Sequence, residues 1–139
     1  MDIKILDYLK SNYRNKIIIH RNPFDILKTI GVELLKQIEV LTTDNRFTLK
    51  AKSILDELIN HSIYRHHQFG DTISIKNVGI LFEPSLKFDF YSYNHNLSKT
   101  NCLFIQWDGE SDKENLYFLT KSKGITINIK NLSNLQYEI

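Results

Sequence analysis

The stretch Asn22–Thr29, "NPFDILKT", follows the apolar run Lys16–His20, "KIIIH", and its reading decides the fold. The phosphate-binding loop pattern is G-x-x-x-x-G-K-[ST], entered from a strand. Lys28 and Thr29 fill its last two positions, while Asn22 and Leu27 stand where its glycines belong. Those glycines let the backbone take conformations closed to residues with a Cβ, and they let its N–H groups approach phosphate oxygens. The lysine reaches the terminal phosphates and the hydroxyl holds magnesium. Leu27 puts a branched side chain where phosphate would lie, Asp25 adds a negative charge, and Phe24 adds bulk. All three act against polyphosphate. The same residues also read as a plain helix start. Asn22 is a favoured N-cap, Pro23 suits the first helical position, and Asp25 complements the helix dipole. The plain helix start is the stronger of the two readings, and residual anion or nucleotide binding through Asn22, Lys28 and Thr29 is the weaker.

Working outward, Lys16–His20 is β-branched and reads as a buried strand. Before it, Ile5, Leu6, Leu9 and Tyr13 are spaced for one face of a short helix. After it, Ile26, Leu27, Ile30, Leu34, Leu35 and Ile38 recur at helical spacing, and "VLTT" near Val40 reads as a short strand. Leu49, Ala51, Ile54, Leu55, Leu58, Ile59 and Ile63 form the clearest amphipathic stripe. It predicts a long helix ending near "YRHHQFGD", with Gly70 as its stop. Thr72–Ile75 reads as a core strand, residues 85–95 as a short helix, and Cys102–Trp107 as a strand closed by the turn signal Asp108-Gly109. "NLYFLT" and "GITINI" flank "KSKG" as a β-hairpin, and "LQYEI" as a last strand. Strands alternating with helices favour parallel βαβ units. The C-terminal strands are expected to extend the same sheet in antiparallel fashion.

At 139 residues the chain is expected to be one domain, 1–139. Hydrophobic residues make up 42% and charged residues 24%, enough apolar content for a core. A net charge of +2 is too small to argue nucleic-acid binding by itself. No apolar run approaches the ~18 residues of a membrane span, and "MDIKILDYLK" lacks the layout of a signal peptide. One cysteine excludes an internal disulfide and fits a reducing cytoplasm. There is no internal repeat.

The chemistry-bearing candidates are few. An ATPase of this type carries an acid at the end of a later strand to hold magnesium. Here "TISI" is followed by Lys76 and Asn77, and a lysine cannot ligate magnesium. Glu83 lies beyond, next to Pro84, as a solvated loop acid. His61, His66 and His67 lack the i, i+4 spacing of helical metal ligands and read as a polar cluster, with no metal expected. Cys102, in an apolar strand, reads as an inert buried thiol. Lys10, Arg14, Lys16 and Arg21 form a mild basic cluster, read as a solvated face, with contact to DNA phosphates as the minority reading. Trp107 reads equally as surface anchor or core.

"KNVGILFEPSLKFD", "LSKTNCLFIQWDGE" and "NLYFL" together resemble the small BrxF proteins of BREX phage-defence systems. In that family a strand ends in Asp-Asn. An ILF-acid-P-x-L segment follows, then LSR/K, then a strand ending Trp-Asn/Asp-Gly. Here these fall on Lys76-Asn77, Ile80–Leu86, Leu97–Lys99 and Trp107–Gly109, and the loop register at Asn22–Thr29 agrees. The likeness covers most of the chain, although residues 39–70 carry little of it. It implies a small α/β fold of the P-loop NTPase (ASCE/AAA-like) kind, with mostly parallel strands flanked by helices and a C-terminal antiparallel hairpin extension. Both loop glycines and the strand-end Asp are missing, so the family's ATP binding does not carry over and no cofactor is expected. The implied role is a non-catalytic pseudo-NTPase, an adaptor or assembly subunit in the cytoplasm. Its partners would be a PglZ-type protein or a larger ATPase, with self-association into a homo-oligomer a further expectation. The alternatives are an ATP-binding subunit completed by a partner and a DNA-binding accessory module.

Overall fold

A computed structural model describes residues 2–24, 27–30, 47–82, 89–119 and 124–139. The run Lys16–His20 forms strand β1, buried from Ile17 onward. With it, four further strands run parallel in the order β2 (Thr29–Ile30), β4 (Gly70–Ile75), β5 (Cys102–Gln106), β1, β9 (Leu135–Tyr137). A short strand β3 (Tyr64–His66) pairs antiparallel with the first half of β4, on the same edge whose second half takes β2.

Central strands of a parallel sheet are covered on both faces, so they read as unbroken apolar runs. Ile17 and Ile19 of β1 and Leu103 and Ile105 of β5 face one core, under helices α2 (Phe47–Ser62) and α3 (Phe90–Leu97). Ile18, Cys102 and Phe104 face a second, smaller core with Ile5 of helix α1 (Ile3–Lys10) and with Phe24 and Leu27. Each isoleucine so buried contributes about 1.5–3 kcal/mol.

The helix ends are capped by local chemistry. Asp2 accepts the Lys4 N–H at the start of α1, and Asp89 accepts that of Ser92 at the start of α3. At the end of α1, the Lys16 ammonium donates to Tyr8 O and Ser11 O at 3.0 and 2.8 Å, placing a cation at the carbonyl end of the helix. Asn15 Nδ2 donates to His95 O and Ser98 Oγ, tying the α1–β1 loop to the end of α3.

Four expectations are corrected. No helix starts at Pro23. Residues 22–24 and 27–28 are irregular, and Thr29–Ile30 is edge strand β2. Only eight positions separate β1 from β2, and Phe24 and Leu27 among them pack on the second core. So short a parallel crossover is feasible because β2 begins level with the middle of β1, Thr29 pairing Ser74, Ser74 Phe104, and Phe104 Ile18. The long helix ends at Ser62, not near Gly70. Gly70, at φ +74°, instead serves the turn between β3 and β4, where a left-handed backbone suits glycine. The short helix begins at Phe90, with residues 83–88 outside those described. Tyr13 lies beyond α1 and is 62% exposed.

The C-terminal strands divide. β6 (Glu110–Ser111), β7 (Asn115–Leu119) and β8 (Gly124–Asn128) form a separate antiparallel sheet with the expected hairpin, its tip at 120–123 outside the described residues. β9 returns to the main sheet and pairs parallel with β1, contrary to the antiparallel extension read from the sequence. The Asp112 carboxylate accepts the N–H groups of Glu114 and Asn115, which closes the β6–β7 turn, and Gln136 Nε2 of β9 donates to Asp112 O. The strand near Val40 and Glu83 lie outside the described residues.

Candidate functional site

The chain leaves β1 over the α1 face and leaves β5 over the opposite face, where Trp107, Leu116 and Ile127 pack. Adjacent parallel strands whose connections part in this way open a crevice at their carboxyl ends, the usual ligand position in such sheets. His20, Arg21 and Asn22 line it from β1, and Gln106–Gly109 from β5. Its two sides are bonded together. Trp107 N–H donates to His20 O at 2.8 Å, and Arg21 donates to Asp108 O at 3.4 Å and Gly109 O at 3.0 Å. Beside it, a cavity of about 230 Å³ is lined by Val78, Gly79, Gln106–Gly109 and Phe118. Asp108 is the one charged residue among that described lining.

The residues in phosphate-loop register are not gathered there. Asn22 stays at the end of β1, where its carbonyl accepts from His20 Nδ1 at 2.8 Å. Lys28 and Thr29 sit at β2, three inter-strand spacings from β1, or about 14 Å at ~4.8 Å each. Thr29 Oγ1 shares a hydrogen bond with Ser74 Oγ at 2.8 Å. The Lys28 N–H donates to Tyr64 OH at 3.1 Å, and its ammonium lies 5.7 Å from the Tyr64 ring centre. Lys76 follows β4 directly, and Asn77 takes φ 59°, turning the chain into the 3₁₀ helix Val78–Phe82.

His20 is the site residue the sequence did not single out. It is 2% exposed, and its ring lies 4.5 Å from Phe24 and 6.2 Å from Phe104. Because Nδ1 faces a carbonyl it must carry the proton, which leaves Nε2 as an acceptor with no hydrogen-bond partner among the described residues. Desolvation pushes its pKa below the ordinary histidine value, against the opposing effect of the Asn22 carbonyl. The unfolded chain therefore binds that proton first as pH falls. Stability is expected to hold above about pH 6.5 and to fall below it, by at most about 1.4 kcal/mol per pH unit for this residue. His66 is shifted the same way, by desolvation and then by neighbouring His67. Urea midpoints at pH 7.5 and 5.5 should thus differ in the natural chain, and His20→Phe should remove part of that difference. An unchanged pH response in His20→Phe would show that the imidazole is not held neutral.

The predicted basic cluster does not form one patch. Lys16 opens β1 and Arg21 follows its end, about 17 Å apart at ~3.3 Å per residue. Lys16 is consumed by the end of α1, and Arg21 by the β5–β6 loop. Lys10 is exposed on the last turn of α1. Arg14 instead joins Arg65 and Lys99 along a groove at the amino-terminal ends of β1, β4 and β5. Those three residues are far apart in sequence, so no spacing signal announces them.

His66 stacks on Phe69 at 4.2 Å and on His67 at 4.5 Å, and among the described residues no group of three ligating side chains could hold a metal. Burial pushes the Cys102 thiol up to about 12, which keeps it protonated. Trp107 is core. Among the described residues no helix is long and apolar enough to cross a membrane. Comparison with known proteins finds no matching family model, no matching curated protein and no matching solved structure.

Proposed function

We propose that this chain is a nucleotide-free, P-loop-NTPase-like subunit that acts as an adaptor or assembly protein in a BREX-type anti-phage system. The observation that carries the nucleotide-free part is the separation of Lys28 and Thr29 from the carboxyl end of β1. The crevice there is bridged by Arg21 donating to two carbonyls, so acceptor oxygens stand where a phosphate needs donors. The fold part draws support from the five parallel strands with β1 inside the sheet and a crossover to each face. The assignment to the defence system rests on the resemblance. Two of the segments that carry it meet at one cavity, lined by Val78 and Gly79 from the first and Trp107–Gly109 from the second. With the crevice closed, function moves to the surface, where a PglZ-type protein or a larger ATPase would dock in the cytoplasm.

Isothermal titration with ATP and magnesium is expected to give no saturable heat, and capture from cells carrying the native operon is expected to recover another defence protein. Micromolar ATP affinity would overturn the nucleotide-free reading, and recovery of no defence protein would overturn the adaptor role. The alternative of a partner-completed ATPase rests on the Lys28-Thr29 pair. Lys28→Ala, at an exposed position, is expected to leave phage protection intact. Lost protection with unchanged thermal stability would favour that alternative instead.

A further inference from the structure

We propose that the groove at the amino-terminal edge of the main sheet binds single-stranded nucleic acid. It encloses about 350 Å³ and is lined by Arg14, Lys16, Arg65 and Lys99 against one acid, Asp71, among its described residues. The basic residues come from the α1–β1 loop, from β1, from β3 and from the turn before β5. The fold therefore gathers into one trough charges that are dispersed in the chain.

Their availability differs. The Lys16 ammonium is held by Tyr8 O, Ser11 O and Ser11 Oγ, all within 3.0 Å, so it stiffens the wall and does not contact ligand. Arg14 and Lys99 are exposed. Arg65 pairs with Asp71 at 3.5 Å, but the two side chains are 78% and 51% exposed, and such a pair yields readily to a phosphate. Three cations thus line the trough, along with the neutral residues Gln68 and Thr100.

The ring of Tyr13 selects among polyanions. It is 62% exposed, its centre lies 5.9 Å from the ammonium of the groove residue Lys16, and it directly precedes Arg14 in the chain. Tyr8 braces it at 6.1 Å. An exposed aromatic face beside a basic groove is the platform on which an unpaired base stacks, while the cations track the backbone. A duplex keeps its bases stacked on each other, and an acidic peptide has no use for the ring. The inference goes beyond the adaptor reading and stands whether or not ATP binds.

The test is fluorescence anisotropy of the full chain with a labelled oligothymidylate. Three phosphate contacts at a slope of about −0.7 each predict that affinity falls about 18-fold between 50 and 200 mM salt. The double variant Arg14→Glu/Lys99→Glu should weaken binding at least tenfold and flatten the slope by about 1.4. Tyr13→Ala should weaken it by about tenfold, with less effect on a duplex probe. Asp71→Asn should tighten it by removing the groove's acid. Lys113→Glu, in the β6–β7 turn, should leave it unchanged. All these side chains are exposed, and thermal melts verify that each variant folds. The proposal is overturned by no saturable binding at 50 mM salt, or by a loss in Lys113→Glu equal to that in the groove variant. It is equally overturned if poly-L-glutamate occupies the groove and the oligothymidylate does not.

Discussion

Trp107→Ala is expected to cost about 3–5 kcal/mol of folding stability, a large share of the roughly 5–15 kcal/mol a domain possesses. Trp107 is 2% exposed and sits just past β5, where the 3₁₀ helix, α3 and the small antiparallel sheet meet the main sheet. Its ring meets Phe82 edge-on at 6.0 Å and Phe90 at 6.3 Å, and Nε1 donates to Glu110 O at 3.1 Å. Truncation removes the largest side chain of that junction and leaves a cavity whose walls belong to different elements, which cannot all close on it. Trp107→Phe separates the terms. It keeps an aromatic ring but loses the indole N–H bond to Glu110 O, and should cost nearer 1–2 kcal/mol. Urea unfolding followed by far-ultraviolet circular dichroism reads both, since the chain has no other tryptophan to report by fluorescence. A loss under 1 kcal/mol in Trp107→Ala would show that the junction is not packed as described.

Gly109→Ala should be more damaging than Gly79→Ala. A Cβ there would collide with Tyr117 O and lie 3.0 Å from Trp107 Nε1. Tyr117 is held in β7 between Glu110 of β6 and Thr126 of β8, so its carbonyl cannot step aside without the small sheet moving. The expected loss is about 1–3 kcal/mol, at the upper end of that range. Gly79 is the comparison. A Cβ there would meet the Phe118 ring at 2.6 Å, but the obstacle is a half-buried side chain that can rotate. Gly79→Ala should therefore cost less, and thermal melts showing the reverse order would refute the backbone argument.

Both junctions involve segments the sequence could locate but not assemble. Lys16–His20 and Cys102–Gln106 were legible as strands because burial on both faces writes itself into consecutive apolar residues. Leu55, Leu58 and Ile59 were legible as a helix face for the same reason, a local periodicity matching a local geometry. Asn22–Thr29 was not. Leu27 and Phe24 are apolar because they lie across a sheet face, and Ile30 completes a helical spacing by accident of the crossover. The pairing of β9 with β1 and the separateness of β6–β8 were likewise hidden, since an alternating strand carries no mark of its neighbour's direction.

The site divides along the same line. The missing loop glycines and the lysine at position 76 were plain in the sequence, and they carried the argument against a phosphate cradle. That Lys28 and Thr29 lie about three strands from β1, that His20 keeps a bare nitrogen among aromatic rings, and that Arg14, Arg65 and Lys99 share one groove were decided by the tertiary structure alone. Sequence determines which side chains must leave water and at what period. Which of them then meet depends on contacts between segments tens of residues apart, and nothing in the local pattern encodes that choice.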